Sequence, residues 1–223
     1  MPCLLYCVTL SAAPQATDLT GVSGQPLLTH DSAGLRIYWS ELPDPETILA
    51  EGAAKKTAEQ NFRQVLREIV AHTTPIPFSF PAVLPDLEAV DKLIAEQREY
   101  FTDALTRLTD TVQYQLTATW AADEQTDFAA PVIGCEYLKR RMEAETRVAA
   151  IDAKLRTVTA GCVREWRSRQ DRRKHHWFAL VSCADRDRFV AALRNAGPSE
   201  DVRLRLSGPW PPSEFVTRQN ESR

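Results

Sequence analysis

From Thr111 to Trp120 the chain alternates without a break. Val112, Tyr114, Leu116, Ala118 and Trp120 are apolar, and Thr111, Gln113, Gln115, Thr117 and Thr119 are polar. A period of two belongs to a strand with one covered face and one wet face. A lone strand of this kind is not stable. It needs neighbours in a sheet and a layer over its apolar side, which commits the chain to a layered architecture.

The segments before it supply strands and helices. Cys3 to Leu10 is an apolar strand. Leu27 to Trp39 reads as a hairpin turning at Asp31, Ser32 and Gly34, with Leu35, Ile37 and Trp39 on one face. Asp44-Pro45 opens a helix, because Asp caps well and Pro fits a first turn whose N–H groups have no partner. Gly52 interrupts it. Ala58, Phe62, Val65, Leu66 and Ile69 then recur at helical spacing up to about His72. Thr74 to Pro85 carries four prolines, which cannot donate to a ladder, so it is an edge strand or an extended crossover. Asp86 caps a second helix with the stripe Leu87, Val90, Ile94, Phe101, Leu105 and Leu108.

After the alternating strand comes an acidic loop, 121–134. A long helix is expected from about Glu136 to Arg169, with Val148, Ile151, Leu155, Val158 and Cys162 stepping by three and four. That seam suits a partner helix or the protein's own sheet. Trp177 to Cys183 is an apolar strand, central in its sheet. Asp185 to Asn195 is a short helix stopped by Gly197-Pro198, and Val202, Leu204 and Leu206 mark a last strand. The second half therefore reads β-α-β-α-β with a long crossover helix. The fold class is α+β in two domains, 1–110 and 111–223, each with helices on one face of an antiparallel sheet.

The 223 residues suit one or two domains, with 43% hydrophobic and 26% charged. A net charge of −3 gives no global pull toward nucleic acid or anionic membrane. No apolar stretch approaches the roughly 20 residues of a membrane helix. The apolar start lacks the basic residues of a signal peptide, since the first Lys or Arg is Arg36. A soluble, cytoplasmic protein is expected. Five scattered cysteines suit a reducing compartment without disulfides. Cys3 and Cys7, four apart on one strand, are expected to face the same way beside Leu5.

No chemistry-bearing motif emerges. The chain has no Gly-x-Ser-x-Gly elbow, P-loop or GxGxxG turn. His175 and His176 are adjacent on a strand and point to opposite faces, and no CxxC or HxxxH spacing exists. No catalytic, cofactor or metal site is expected. Two segments invite a binding reading. The basic stretch 164–176, which includes Arg172 and Arg173, is a patch for an acidic partner or nucleic acid, or else a solvated helix end and loop. Gly208-Pro-Trp-Pro-Pro212 is a stiff arm that presents Trp210, Pro211 and Phe215 to a partner, or folds back so that the aromatics close the core.

The tail, Val202 to Val216, resembles the closing stretch of the gas vesicle protein F/L (GvpF/GvpL) family, where a strand runs into Gly-Pro-Trp-Pro-Pro, an aromatic and Phe-Val. Gly208, Pro209, Trp210, Pro211, Pro212, Phe215 and Val216 match; Ser213 and Glu214 depart. Gly134 to Arg141 resembles the family's Gly-Arg-Glu-Tyr-Leu helix opening, with Cys135 in place of Arg. In 74–85, Pro77 and Phe80 match the family's Pro-x-Arg-Phe-Gly, while Ser79 and Pro81 replace Arg and Gly. The resemblance implies two α+β domains, the C-terminal one a modified ferredoxin-like sandwich. It implies a non-enzymatic accessory protein of gas vesicle assembly, found with the vesicle and in contact with the shell protein and other vesicle accessory proteins. A regulatory or nucleic-acid-binding module using 164–176 is the competing reading.

Overall fold

The computed structural model describes residues 1–16, 18–120, 135–171, 174–195 and 202–217. Its contacts group into two compact units, Met1–Gln113 with Pro209–Arg223, and Tyr114–Gly208. The sequence boundary fell at 110/111 and left the tail with the second domain, whereas the contacts group the tail with the first unit.

In the first unit, β1 (Cys3–Leu10), β2 (Leu28–Ser32), β3 (Leu35–Glu41) and β4 (Ile76–Leu84) form a sheet in the order β2-β3-β1-β4. The β2–β3 turn sits at Ala33 and Gly34, both at positive φ, the backbone that matches the twist of paired strands. α1 (Pro45–Leu49) begins at Asp44, whose side chain accepts from the Thr47 N–H at 3.2 Å. Gly52, at φ +119°, separates it from α2 (Ala53–Val70). Asp86 caps α3 (Leu87–Leu108) through the Ala89 N–H at 2.9 Å. The proline-bearing β4 lies at the sheet edge, where missing donors cost least.

Both faces of this sheet are covered, which corrects the expectation of helices on one face. Leu4, Tyr6, Cys7 and Tyr38 pack with Phe62, Val65 and Ile69 of α2. Cys3, Leu5, Val8 and Ile37 pack with Val90, Ile94, Phe101 and Leu105 of α3. Central β1 is consequently buried along almost its whole length. Its register explains a second correction. Leu5 faces Trp39 but Cys7 faces Tyr38, so Tyr6 is an extra, bulged residue. The bulge shifts the alternation by one, and Cys3 and Cys7 lie on opposite faces.

The second unit contains most of β5 (Thr111–Trp120), α4 (Cys135–Val158), β6 (Val163–Asp171), β7 (Lys174–Ser182), α5 (Arg186–Asn195) and most of β8 (Val202–Trp210). The order along the chain is β-α-β-β-α-β and the order in the sheet is β6-β7-β5-β8, a ferredoxin-like arrangement with β7 central as expected. The expected long helix is too long by a strand. It ends at Val158, Gly161 takes up φ +75°, and the basic stretch runs on as β6, antiparallel to β7. The seam splits accordingly. Leu155 is buried and Val148, Ile151 and Val158 are half-buried on α4, while Cys162 is buried beyond the helix. Asp152, on the same helix, accepts from Trp177 Nε1 of β7 at 3.1 Å, so α4 attaches to its own sheet.

Candidate functional site

The tail folds back onto the first unit. Gly208, at φ +133°, lies near the end of β8, and the three prolines within 209–212 and their neighbours then follow a fixed, donor-poor path. Phe215 has 0% exposure, and Pro211 and Pro212 are buried. Trp210 is half-buried, with the Arg67 guanidinium of α2 4.4 Å from its ring centroid, a cation–π geometry. Two side chains hold the backbone that follows. Arg107, in the last turn of α3, donates through Nη2 to the carbonyls of Phe215 at 2.8 Å and Val216 at 2.7 Å. Gln113 Oε1 accepts from the Glu214 N–H at 3.0 Å.

Of the residues picked from the sequence, the structure therefore places Pro211 and Phe215 in the interior and leaves part of Trp210 outside. Arg172 and Arg173 lie outside the described residues. Arg67, Arg107 and Gln113 escaped the sequence reading. Gln113 belongs to the polar phase of β5, yet it is 4% exposed because the tail covers it. Nothing in the pattern of α3 distinguishes Arg107 from a cation placed to suit the negative end of a helix.

The basic stretch is a hairpin strand with much of its charge engaged. Arg167 Nε donates to Glu165 at 2.8 Å, and the Arg169 guanidinium lies 5.3 Å from the Phe178 ring. As expected, the two histidines diverge. His176 Nδ1 lies 3.0 Å from both Gln115 Nε2 and Thr117 Oγ1, while the His175 ring lies tilted against Trp177 on the opposite face, 4.2 Å between centroids. Burial pushes the Cys7 thiol well above its usual pKa, and burial is also the main cause raising Cys3. Among the described residues no group of three or more His, Cys, Asp or Glu side chains is placed to hold a metal ion. Nor is any described helix long and apolar enough to cross a membrane. A cavity of about 280 Å³ in the first unit is lined mainly by aliphatic and hydroxyl residues, among them Leu10, Pro14, Thr74 and Leu105. The Thr74 hydroxyl beside it is committed to both backbone groups of Thr111, at 3.1 and 3.2 Å.

Two solved structures are similar to this chain. The crystal structure of gas vesicle protein GvpF from Microcystis aeruginosa matches with a TM-score of 0.78 at 15% identity, covering 97% of this chain and 99% of that one. That of GvpF from Anabaena sp. PCC7120 matches with a TM-score of 0.75 at 14% identity, covering 98% and 97%. At such identities the likeness establishes the fold. No curated protein matches the sequence significantly. The family model for gas vesicle synthesis protein GvpL/GvpF matches residues 2–133 and 135–217, which spans both units and the tail. This chain belongs to the gas vesicle synthesis protein GvpL/GvpF family.

Proposed function

We propose that this protein is a non-catalytic accessory factor of gas vesicle assembly, working in the cytoplasm and at the vesicle by binding the shell protein and other vesicle accessory proteins. The observation that carries this reading is the family match over residues 2–133 and 135–217. Binding an apolar subunit before it packs into the shell would keep its exposed surface from aggregating. Trp210, partly exposed beside Arg67, is the contact we propose on the tail, and Arg172 and Arg173 the contacts we propose in the basic stretch. Pro211 and Phe215 act by holding the tail in place. The engagement of Arg167 with Glu165 and of Arg169 with Phe178 counts against a nucleic-acid surface, which needs free cations aimed at phosphates.

Co-expression with the vesicle proteins, followed by affinity capture of this chain, tests the proposal. Retention of the shell protein or an accessory protein is the expected outcome, weakened by Trp210→Ala or by Arg172→Glu with Arg173→Glu. Capture of no vesicle component would overturn it. So would normal vesicles, seen by microscopy, in a deletion host that lacks a second copy of the gene.

A further inference from the structure

The tail reaches the first unit by its own route. The chain leaves that unit after Gln113, runs through the whole of Tyr114–Gly208, and re-enters it at Pro209. The site that receives the tail is complete without the segment that delivers it. Arg107 Nη2 donates to the Phe215 and Val216 carbonyls, and Gln113 Oε1 accepts the Glu214 N–H. Phe215 fills a fully buried position, Val216 packs against the core on the α3 side, and the Arg67 guanidinium faces the Trp210 ring at 4.4 Å. These contacts ask for a Trp-Pro-Pro arm ending in Phe-Val. They do not ask that the arm belong to the same chain.

The delivering segment is a short hinge. Gly208 sits at φ +133°, backbone that disfavours any side chain, and Pro209 follows it directly. Pro209, Pro211 and Pro212 stiffen the arm beyond, so the direction it takes is set at Gly208. Short hinges held in an unfavourable conformation invite exchange of the segment they carry. Exchange lets the hinge relax, and the segment remakes all its contacts on the other copy. Against this stands the entropy lost when two chains join, so the balance depends on concentration.

We propose that the tail exchanges between two copies of this chain. Segment 209–217 of each copy docks on α2, α3 and Gln113 of the other, and the two exchanges close a symmetric dimer. Each copy then supplies the Phe215 that completes its partner's first unit. The occupant is a second copy because the site fits this tail, and reciprocal exchange uses both tails and both sites. The closed monomer prevails in dilute solution and the exchanged dimer where the chain is concentrated.

Two measurements on the full chain test it. In the first, the chain is refolded at concentrations up to about 1 mM, the order at which a tethered tail competes with a free one, and its mass is read by sedimentation. While dimer is the minor species, its ratio to monomer should rise about tenfold for each tenfold rise in concentration. Gly208→Val, which penalises the closed hinge twice per dimer formed, should raise that ratio at least about tenfold further. Phe215→Ala, which removes the anchor, should leave monomer alone. In the second, chains with and without heavy-isotope label, each carrying a photo-crosslinking phenylalanine analogue in place of Trp210, are refolded together. In the dimer fraction about half of the tail-to-α2 crosslinks should join the two labels, as random pairing of copies requires. A wild-type chain that stays monomeric at every concentration overturns the exchange. So does a dimer that survives Phe215→Ala, or one whose tail-to-α2 crosslinks never join the two labels; the last result decides even if no variant at Gly208 or Phe215 folds.

Discussion

At the scale of single residues, two tyrosine hydroxyls pin the loop that joins β1 to β2. Tyr6 accepts the Val22 N–H at 2.7 Å and pairs with Ser40 Oγ at 3.0 Å, and Tyr38 accepts the Ala16 N–H at 3.1 Å. Tyr6 is available for this because the bulge turns it toward α2, where it stacks on Phe62 at 4.9 Å. Tyr6→Phe keeps the ring and strands a buried N–H, so denaturant unfolding should show a loss of about 1–3 kcal/mol. Gly21 is needed in the same place: a Cβ there would fall 2.5 Å from the Tyr6 oxygen. Gly21→Ala should therefore destabilise by a similar amount, and the double variant Tyr6→Phe/Gly21→Ala by less than the sum, since the phenylalanine removes the clashing atom.

Among elements, the end of α4 and the start of β6 turn on Gly161. Its φ of +75° is costly for any residue with a side chain, and a Cβ would also lie 3.1 Å from Arg188 Nη2. Gly161→Ala should lower the melting temperature by several degrees, through about 1 kcal/mol or somewhat more of strain. The long-helix reading failed at this point. The stretch before Gly161 steps by three and four, and the arginines after it suit a helix C-terminus as well as they suit a strand. Pairing with β7, the next strand in the chain, decides between them, and the pattern of the segment read by itself does not contain that pairing. Strands and helices bounded by their own signals were legible: Asp44-Pro45 and Asp86 set ends that the structure keeps, and Gly34 lies in the β2–β3 turn, although Asp31 and Ser32, read as part of that turn, belong to β2.

For the whole molecule, the tail is the largest difference between the linear and the folded chain. Truncation after Gly208 removes Phe215 from a fully buried site and leaves Gln113 and Arg107 without the backbone groups they hold. Loss of the buried aromatic alone is on the order of 3–5 kcal/mol. Hydrogen exchange should show α3 of the first unit losing protection, whereas unchanged protection would mean the tail is dispensable. Acid should destabilise the fold as a whole, and the signs agree. His175 has its pKa depressed, so its contribution is complete above about 6.5 and is lost as pH falls through its folded value. Asp31, lowered mainly by its hydrogen bond to Arg36, and Asp91, lowered mainly by His30, add stability above 3.8 that disappears as pH falls through their lower folded values. Both carboxylates are about half exposed, so solvent screening keeps their share small. A urea midpoint that falls steadily from pH 7 to pH 3 is the expected result. The sequence by itself determined the α+β class, most element boundaries and the family, because these rest on local periodicity, caps and a short proline-rich motif. Tertiary structure alone decided that both faces of the first sheet are covered, that Cys3 and Cys7 diverge, that β6 is a strand, and that the tail completes the first unit. Each of these depends on contacts with another element of the fold, and a local pattern carries no record of what will pack against it.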